Sequence, residues 1–561
     1  MLQKAPSTTL QKKAASMSSA TVRDENKQAG FRLYNFLELT ALISVLLCPN
    51  CQNSTVELQE QPLTDGKAIG LYSRLNLYCT TCKHSIAQRY TSPKVRKSAI
   101  VNLLTVLSAR NVGLGFHQIQ KFFGFLNMPK PFHLRTYQRL ADIIHKSGQE
   151  FLLCWYKKAA AQIRARCKAD DPTIADDSVI SIGVSYDGTW HKRGHSSHYG
   201  VGVVIDRQSG LVIDTCVLSN FCVVCEKGPK PADDGYQAWF DAHQSSCQRN
   251  FNGSANAMEV HAAKIMFRRS VERYGLKYTS VLCDGDSKTI IALNNAAIYD
   301  EEIIKQDCIN HIAKRMYNGI TTISNNLKGT ADSISGNGLG KVTKKKQTLL
   351  TQYYAYALKT YAPDVDAMRK GVLASLYHFM SSDDKPQHQY CPPGESSWCR
   401  WQRCQVTGEQ YEHHQKIKEK YAVQLLPLYE RLTKPELLER CSEMKTQNAN
   451  ESFNAQVWRR CPKILSASLK TVETAVCLAS LEFNAGPNAL CDFIREIGIT
   501  DTYYIDICTA FLASHRAANA LRLSAPEFQR IRKRRKVQKA TQADRALAEE
   551  GVLYEAGGFN Q

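Results

Sequence analysis

The sequence predicts an α/β protein preceded by a cysteine module and surrounded by helices. Two observations carry that prediction. The hydrophobic period switches from helical to alternating near residue 179 and back near 255, and the cysteine pairs CPNC, CTTC and CVVC recur along the chain. Lys plus Arg number 72 against 52 Asp plus Glu. With 43% apolar and 22% charged residues, the 561-residue chain can bury a sizeable core, which excludes a mostly disordered protein. Its length allows roughly three to four domains of about 150 residues. A net charge of +20 draws a protein to polyanions, nucleic acid foremost, and says nothing about fold.

Residues 1–30 are polar and read as disordered. They lack the apolar core of a secretory signal, and Asp24 and Glu25 argue against a transit peptide. The apolar run 36–48 contains Glu38 and falls short of the roughly 20 residues of a membrane span, so no membrane is expected. Twenty cysteines in such a chain read as thiols and metal ligands rather than disulfides. A zinc-ribbon-like module is expected over 31–90. There Cys48 and Cys51, then Cys79 and Cys82, form two knuckles joined by the polar segment 52–67, and four such thiolates make a tetrahedral structural Zn²⁺ site. A helical region follows over 91–174. Ile100, Leu103, Leu104 and Leu107 keep helical spacing until Gly113 and Gly115 break it. Residues 119–139, with Pro129 and Pro131 between helical patches, have the outline of a helix-turn-helix, an outline that packed helices share. This region would read DNA or form a dimer contact.

From Val179 the runs VISIGVSYD, HYGVGVVID and GLVIDTCVL, with the turn Arg207-Gln208-Ser209-Gly210, predict a three-stranded meander. A cysteine-bearing loop comes next, holding Cys222, Cys225, His243 and Cys247 as a second candidate metal group. The following helix has Asn256 and Glu259 as a capping box, Met258, Ala262, Ile265 and Met266 as its inner face, and Gly275 as its stop. TSVLCD then reads as a fourth strand. The order β-β-β-α-β-α is the ribonuclease-H-like arrangement, whose first and fourth strands lie side by side. A domain of this kind is expected over 175–465, with a basic helical insertion at about 320–440 that exposes Lys344, Lys345 and Lys346. A helical C-terminal region, 466–561, carries RIRKRRKVQK at 530–539, a run suited to nuclear localisation or phosphate binding. His388, Cys391, Cys399 and Cys404 form a looser cluster, on which no site is placed.

Asp187 directly follows the first strand and Asp284 the fourth, so neighbouring parallel strands bring the two acids together. Two or three carboxylates suffice for hard divalent ions such as Mg²⁺, and an ion pair about 3.5–4 Å apart suits phosphodiester chemistry. Glu451, in TQNANESFN ahead of a helix over 451–458, is the choice for a third acid. An Asp after a strand is more often a turn former or helix cap, so the combination carries the argument. His191, Lys192, Arg193 and His195, beside the first acid, could hold a scissile phosphate or simply form a turn.

YDGTWHKRGH, CVVC with its following Trp, His and Cys, FNGSANAME, DGDSKT, DCINHIAKR, CPPGESSWC and NANESFN occur in this order. Together, over roughly 175–465, they resemble the Mutator-like transposase family of cut-and-paste DNA transposons. The resemblance implies a ribonuclease-H-like catalytic domain with a DDE triad and a helical insertion between the second Asp and the Glu. By motif the triad falls on Asp187, Asp284 and Glu451. Asp286 is the competing second acid, and position at the strand end favours Asp284. The resemblance also favours zinc at Cys222, Cys225, His243 and Cys247, and it matches Cys308 and His311 to a family Cys-His pair that either orients the site or only packs. The expected function is metal-dependent strand cleavage and strand transfer on double-stranded DNA, at terminal inverted repeats and at the target. Mg²⁺ or Mn²⁺ would be catalytic and Zn²⁺ structural, in a nuclear protein acting as a homo-oligomer. The rivals are a domesticated, non-catalytic DNA-binding or regulatory protein and a ribonuclease-H-like repair nuclease.

Overall fold

A computed structural model describes residues 31–61, 71–192, 196–284, 287–336, 338–412, 416–532, 534–535 and 538. Two compact units are present. The first holds the described residues up to Leu104, Leu126–His133 and those from Ala485 onward, and the second holds Thr105–Phe125 and Leu134–Asn484.

In the first unit, helix α1 (Phe36–Ser44) starts at Asn35, whose Oδ1 accepts from the Leu37 N–H at 2.9 Å. Strands β1 (Val56–Gln61), β2 (Arg74–Cys79) and β3 (His84–Tyr90) form an antiparallel sheet. Among the described residues its buried apolar side chains are few: Cys48, Val56 and Cys79 form one cluster, and Leu58 is buried on β1. So little apolar burial cannot hold a fold alone, and the thiols must contribute. Strands β4 (Lys94–Val95) and β5 (Ser98–Ala99) pair ahead of α2 (Ile100–Asn111).

In the second unit, α3 (Phe116–Phe125) and α4 (Leu134–Asp170) do not make a helix-turn-helix. The connection 126–133, stiffened by Pro129 and Pro131, is longer than the turn of about 3–4 residues that such a motif requires. The meander is β6 (Ile180–Trp190), β7 (Tyr199–Asp206) and β8 (Val212–Ser219). The cysteine loop folds as the short helices α5 (Val223–Lys227) and α6 (Tyr236–Gln244), and α7 (Ala255–Tyr274) leads to β9 (Leu276–Cys283). After α8 (Lys288–Asn294) comes a fifth strand, β10 (Ile304–Asp307), absent from the sequence reading because IKQD is polar. Its charges are satisfied: Lys305 lies 3.0 Å from Asp307, and the Arg440 Nε–H donates to Asp307 at 2.8 Å.

The sheet order is β10-β9-β6-β7-β8. The meander is antiparallel, while β9 runs parallel to β6 and β10 parallel to β9. The expected adjacency of the first and fourth strands of this region is present. Every residue of β7 is buried. Helix α7 reaches it because Gly200 and Gly202 lack side chains: a Cβ on Gly202 would sit 2.9 Å from the Ala262 Cβ. On α7, Met258, Ala262 and Met266 are buried as expected, whereas Ile265 is only half-buried. Gly275 ends the helix at φ 63°, a conformation that glycine adopts freely. The capping box is not formed, because the cap is Ser254 and makes no side-chain bond. Helices α4 and α17 (Leu469–Ala485) meet β8 through the Tyr156 hydroxyl, 2.9 Å from both Thr215 Oγ1 and Ser480 Oγ.

Helix α9 (Ile309–Asn326) enters the helical insertion, which continues as α10 (Lys344–Tyr361), α11 (Val365–Met380), α12 (Arg400–Thr407), α13 (Glu419–Ala422), α14 (Leu426–Leu432) and α15 (Pro435–Glu439). All but α12 share a core including Met316, Tyr354, Phe379 and Tyr429, while Trp401 of α12 packs on a separate small cluster. Lys344 and Lys345 are exposed, but Lys346 is half-buried and its Nζ donates to the Lys341 carbonyl at 2.9 Å. Helix α16 (Asn448–Arg460) follows and begins three residues ahead of Glu451. In the first unit, α18 (Asn488–Glu496) and α19 (Tyr503–Ser524) join through a 3.1 Å contact between Cys491 Sγ and Thr509 Oγ1. Arg530, Arg532, Arg534 and Arg535 of the basic run are exposed, while Lys533, Lys536 and Lys539 lie outside the described residues.

Candidate active site and metal centres

Asp187 sits within β6, opposite Val203 of β7, because the strand continues to Trp190 rather than ending at the acid. On its other side β6 pairs with β9 in parallel, Ser185 opposite Leu282. Two residues farther along each chain are Asp187 and Asp284. Asp284 follows β9 directly, as expected, and its Oδ1 lies 3.1 Å from His311 Nδ1. The other ring nitrogen of His311 lies 3.9 Å from Glu451 Oε1. One imidazole therefore stands between two acids that are far apart in sequence. Asp286 is outside the described residues.

The electrostatics follow from this crowding. Burial, then the charges of Glu259 and Asp284, push the Asp187 carboxyl up to about 7, against His311 and a hydrogen bond from Asn454. Asp284 and Cys308 push His311 up to about 10, which favours the protonated ring. Cys308 is the residue before α9, and its sulfur accepts from the Gln447 N–H at 3.4 Å. The Cys-His pair thus ties the end of β10, the start of α9 and the start of α16 together around the acids.

Helix α16 is held to β6 by side chains at helical spacing, all on one face. Gln447 Nε2 donates to the Tyr186 carbonyl at 2.9 Å, and Asn450 Nδ2 to that of Ser185 at 3.3 Å. Asn454 Nδ2 donates to Asp187 Oδ2 at 2.8 Å, and Trp458 Nε1 to Thr189 Oγ1 at 2.9 Å. Gln447 and Asn450 are almost fully buried. These positioning residues escaped the sequence reading, although the polar side chains at 447, 450 and 454 were the available signal. Glu259 is a fourth carboxylate here. Its side chain lies over Gly188, where a Cβ would come within 2.7 Å of Glu259 Cγ, so the absent side chain makes its room.

Of the basic cluster beside the first acid, only His191 and Lys192 are among the described residues. His191 is buried, its Nε2 lies 3.3 Å from the Pro462 carbonyl, and burial lowers its pKa, which favours a neutral ring. Lys192 Nζ donates to the Lys463 carbonyl at 2.6 Å. Arg193 and His195 are outside the described residues.

Two cysteine groups close as their spacing predicts. Cys48 Sγ lies 3.7 Å from Cys82 Sγ, and Cys51 Sγ 3.6 Å from Cys79 Sγ. All four sulfurs fall within 4.8 Å of one another. Each knuckle is followed by a positive-φ residue, Gln52 at 58° and Lys83 at 53°. In the second group, Cys222 Sγ is 3.4 Å from His243 Nε2, and Cys225 Sγ 3.5 Å from Cys247 Sγ. Ser246 Oγ lies 3.1 Å from His243 Nδ1, the supporting contact that a ligating imidazole needs on its other nitrogen. Ligand atoms about 2.0–2.3 Å from a tetrahedral Zn²⁺ lie about 3.3–3.8 Å apart, so both groups have the dimensions for one ion. Of the looser cluster, Cys404 stands aside, 3.9 Å from Glu409 Oε2.

A mixed sheet with carboxylates at neighbouring strand positions, together with cysteine groups that could hold zinc, defines an α/β protein. The chain matches the family described as Mutator-like transposase over residues 30–399, about two thirds of its length, and it belongs to that family. It is therefore transposase-derived, and membership implies DNA binding and a nuclease or transposase kind of activity. Glu451 lies beyond the matched segment. Comparison with curated proteins gives no match. Among the described residues, no helix is long and apolar enough to cross a membrane.

Proposed function

We propose that this chain is a DNA transposase of the Mutator-like type, cleaving and transferring DNA strands with Asp187, Asp284 and Glu451 on a ribonuclease-H-like sheet. The observation that carries the reading is the parallel β6–β9 register, which brings two acids together while His311 spans Asp284 and Glu451. The donor set of carboxylate oxygens fits hard divalent ions, and burial first, then the charges of Glu259 and Asp284, raise the Asp187 carboxyl in a way that a bound cation would relieve. Asp187, Asp284 and Glu451 would hold Mg²⁺ or Mn²⁺, which when bound supplies positive charge at the attacking and leaving oxygens.

The chain's own residues do the rest. Asn454 fixes the rotamer of Asp187, and the buried face of α16 sets the position of Glu451. Protonated His311 holds Asp284 and Glu451 toward a common centre. Water attacks the phosphodiester at the transposon end, breaking the P–O bond to the 3′ oxygen. The freed 3′ hydroxyl then attacks a target phosphodiester at the same site, forming a new P–O bond as the target strand's own 3′ oxygen leaves and takes up a proton. The two thiol groups hold structural Zn²⁺, and the basic run 530–539 directs the protein to the nucleus and to DNA.

Cleavage of DNA bearing the flanking terminal repeats, in Mg²⁺ or Mn²⁺, tests the proposal. Asp187→Asn, Asp284→Asn and Glu451→Gln should each reduce cleavage to background while leaving DNA binding nearly intact. Full cleavage by one variant removes that residue from the triad, and loss with Asp286→Asn alone moves the second acid. DNA binding without cleavage by the wild type would assign a domesticated, non-catalytic role.

A further inference from the structure

The connection from α11 to α12 has only a small apolar core, against which Tyr390, Trp398 and Trp401 pack. Its sequence, SSDDKPQHQYCPPGESSWC over 381–399, is polar and rich in turn residues. The small core beneath it consists of Ala374, Cys391 and Cys399. Into this place four ligand-type side chains converge: His378 from the last turn of α11, His388 and Cys391 from the connection, and Cys399 at the start of α12.

Their geometry is that of a closed tetrahedral site. His378 Nδ1 and His388 Nδ1 are 3.3 Å apart. Cys399 Sγ is 3.5 Å from the first and 3.4 Å from the second. Cys391 Sγ is 3.8 Å and 3.7 Å from the same two nitrogens. These separations match the roughly 3.3–3.8 Å edges around a four-coordinate Zn²⁺, with shorter nitrogen–nitrogen than nitrogen–sulfur edges, as the shorter Zn–N bond requires. The surroundings fit as well. Ser381 Oγ lies 2.8 Å from His388 Nε2, which turns Nδ1 inward, and Gln402 Nε2 donates to the His388 carbonyl at 3.0 Å. Trp401 stacks on the His388 ring with centroids 4.7 Å apart.

We propose that His378, His388, Cys391 and Cys399 bind a third structural Zn²⁺ that fastens the α11–α12 connection of the helical insertion. The fourth ligand is His378, one turn back on α11, and not Cys404.

Elemental analysis of the purified full-length chain tests this. His378→Ala and Cys399→Ser should each lose one zinc equivalent relative to wild type, the double variant should lose that same one, and Cys404→Ser should lose none. His378→Cys should keep the equivalent. After Co²⁺ substitution, it should show stronger near-ultraviolet thiolate-to-metal absorption than wild type, a readout that does not depend on the alanine variant folding. In His378→Ala, amide exchange should speed up across 381–399 while the core around Met316 and Tyr354 stays protected. Unchanged zinc in both His378→Ala and Cys399→Ser, or loss of zinc from Cys404→Ser, overturns the proposal.

Discussion

In the N-terminal module, four thiols from two short knuckles close on one another inside a sheet with almost no other core. In the second unit, strand pairing brings Asp187 and Asp284 to neighbouring positions and a docked helix sets Glu451 on the far side of His311, and Asp284 and Glu451 remain exposed. The first arrangement is closed and soft, suited to holding chain together. The second is open and presents hard oxygen donors. The difference separates a group that replaces a hydrophobic core from one that works against it, since like charges gathered at the end of β9 cost stability.

The comparison breaks most directly at the thiols. Replacing Cys48 and Cys51 by Ser should remove one zinc equivalent and unfold the N-terminal module. Changing Cys222 and Cys225 should remove another and lower cleavage as the loop beside the sheet loosens. Zinc at both groups should survive dialysis that strips Mg²⁺ or Mn²⁺, and elemental analysis before and after dialysis checks it. Equal loss of both metal types would erase the distinction between the two kinds of site.

At the carboxylates, Asn454→Ala should lower cleavage about 10–100-fold without changing DNA affinity, as removing a hydrogen bond that supports a metal ligand does. Single-turnover cleavage at saturating metal measures this. A smaller effect concerns stability. Because the Asp187 carboxyl is raised to about 7, the folded protein holds a proton there that the unfolded chain has released. The raised carboxyl therefore costs metal-free stability as pH rises from about 4 to 7. Asp187→Asn should melt higher than wild type at pH 8 without metal, and the advantage should vanish near pH 4. Thermal melts at the two pH values decide whether the acids are in conflict. Least affected is the fold itself when 530–539 are removed. Nuclear accumulation should fall, and the salt dependence of DNA binding should flatten by about 0.9 in slope for each phosphate the shortened chain no longer neutralises. An unchanged slope would make that run a solvated end.

Much of this was legible from local pattern. Alternation in VISIGVSYD and HYGVGVVID marked strands whose pairing needs only a short turn. The polar edge strand β10 was not legible, because its burial comes from Arg440 and from β9 rather than from its own residues. The capping role read for Glu259 failed for a related reason: the pattern of a helix start is local, whereas the space above Gly188 exists only once α7 lies on the sheet. His191, read as one of four residues that could hold a phosphate or form a turn, is buried because the Pro462 carbonyl and the Trp458 ring, far along the chain, receive it.

What the sequence by itself determined are the features whose partners lie within a few residues: the CPNC, CTTC and CVVC knuckles, the meander, the stop at Gly275 and the positive charge of the tail. Knuckle geometry follows from the reach of the chain over two intervening residues and needs no knowledge of the rest. Only the tertiary structure decided that Asn450 and Asn454 face β6, that His311 stands between Asp284 and Glu451, and that His378 rather than Cys404 completes the cluster in the insertion. Such choices depend on which face each helix buries, and that is set by the packing of the whole unit, which no local spacing encodes.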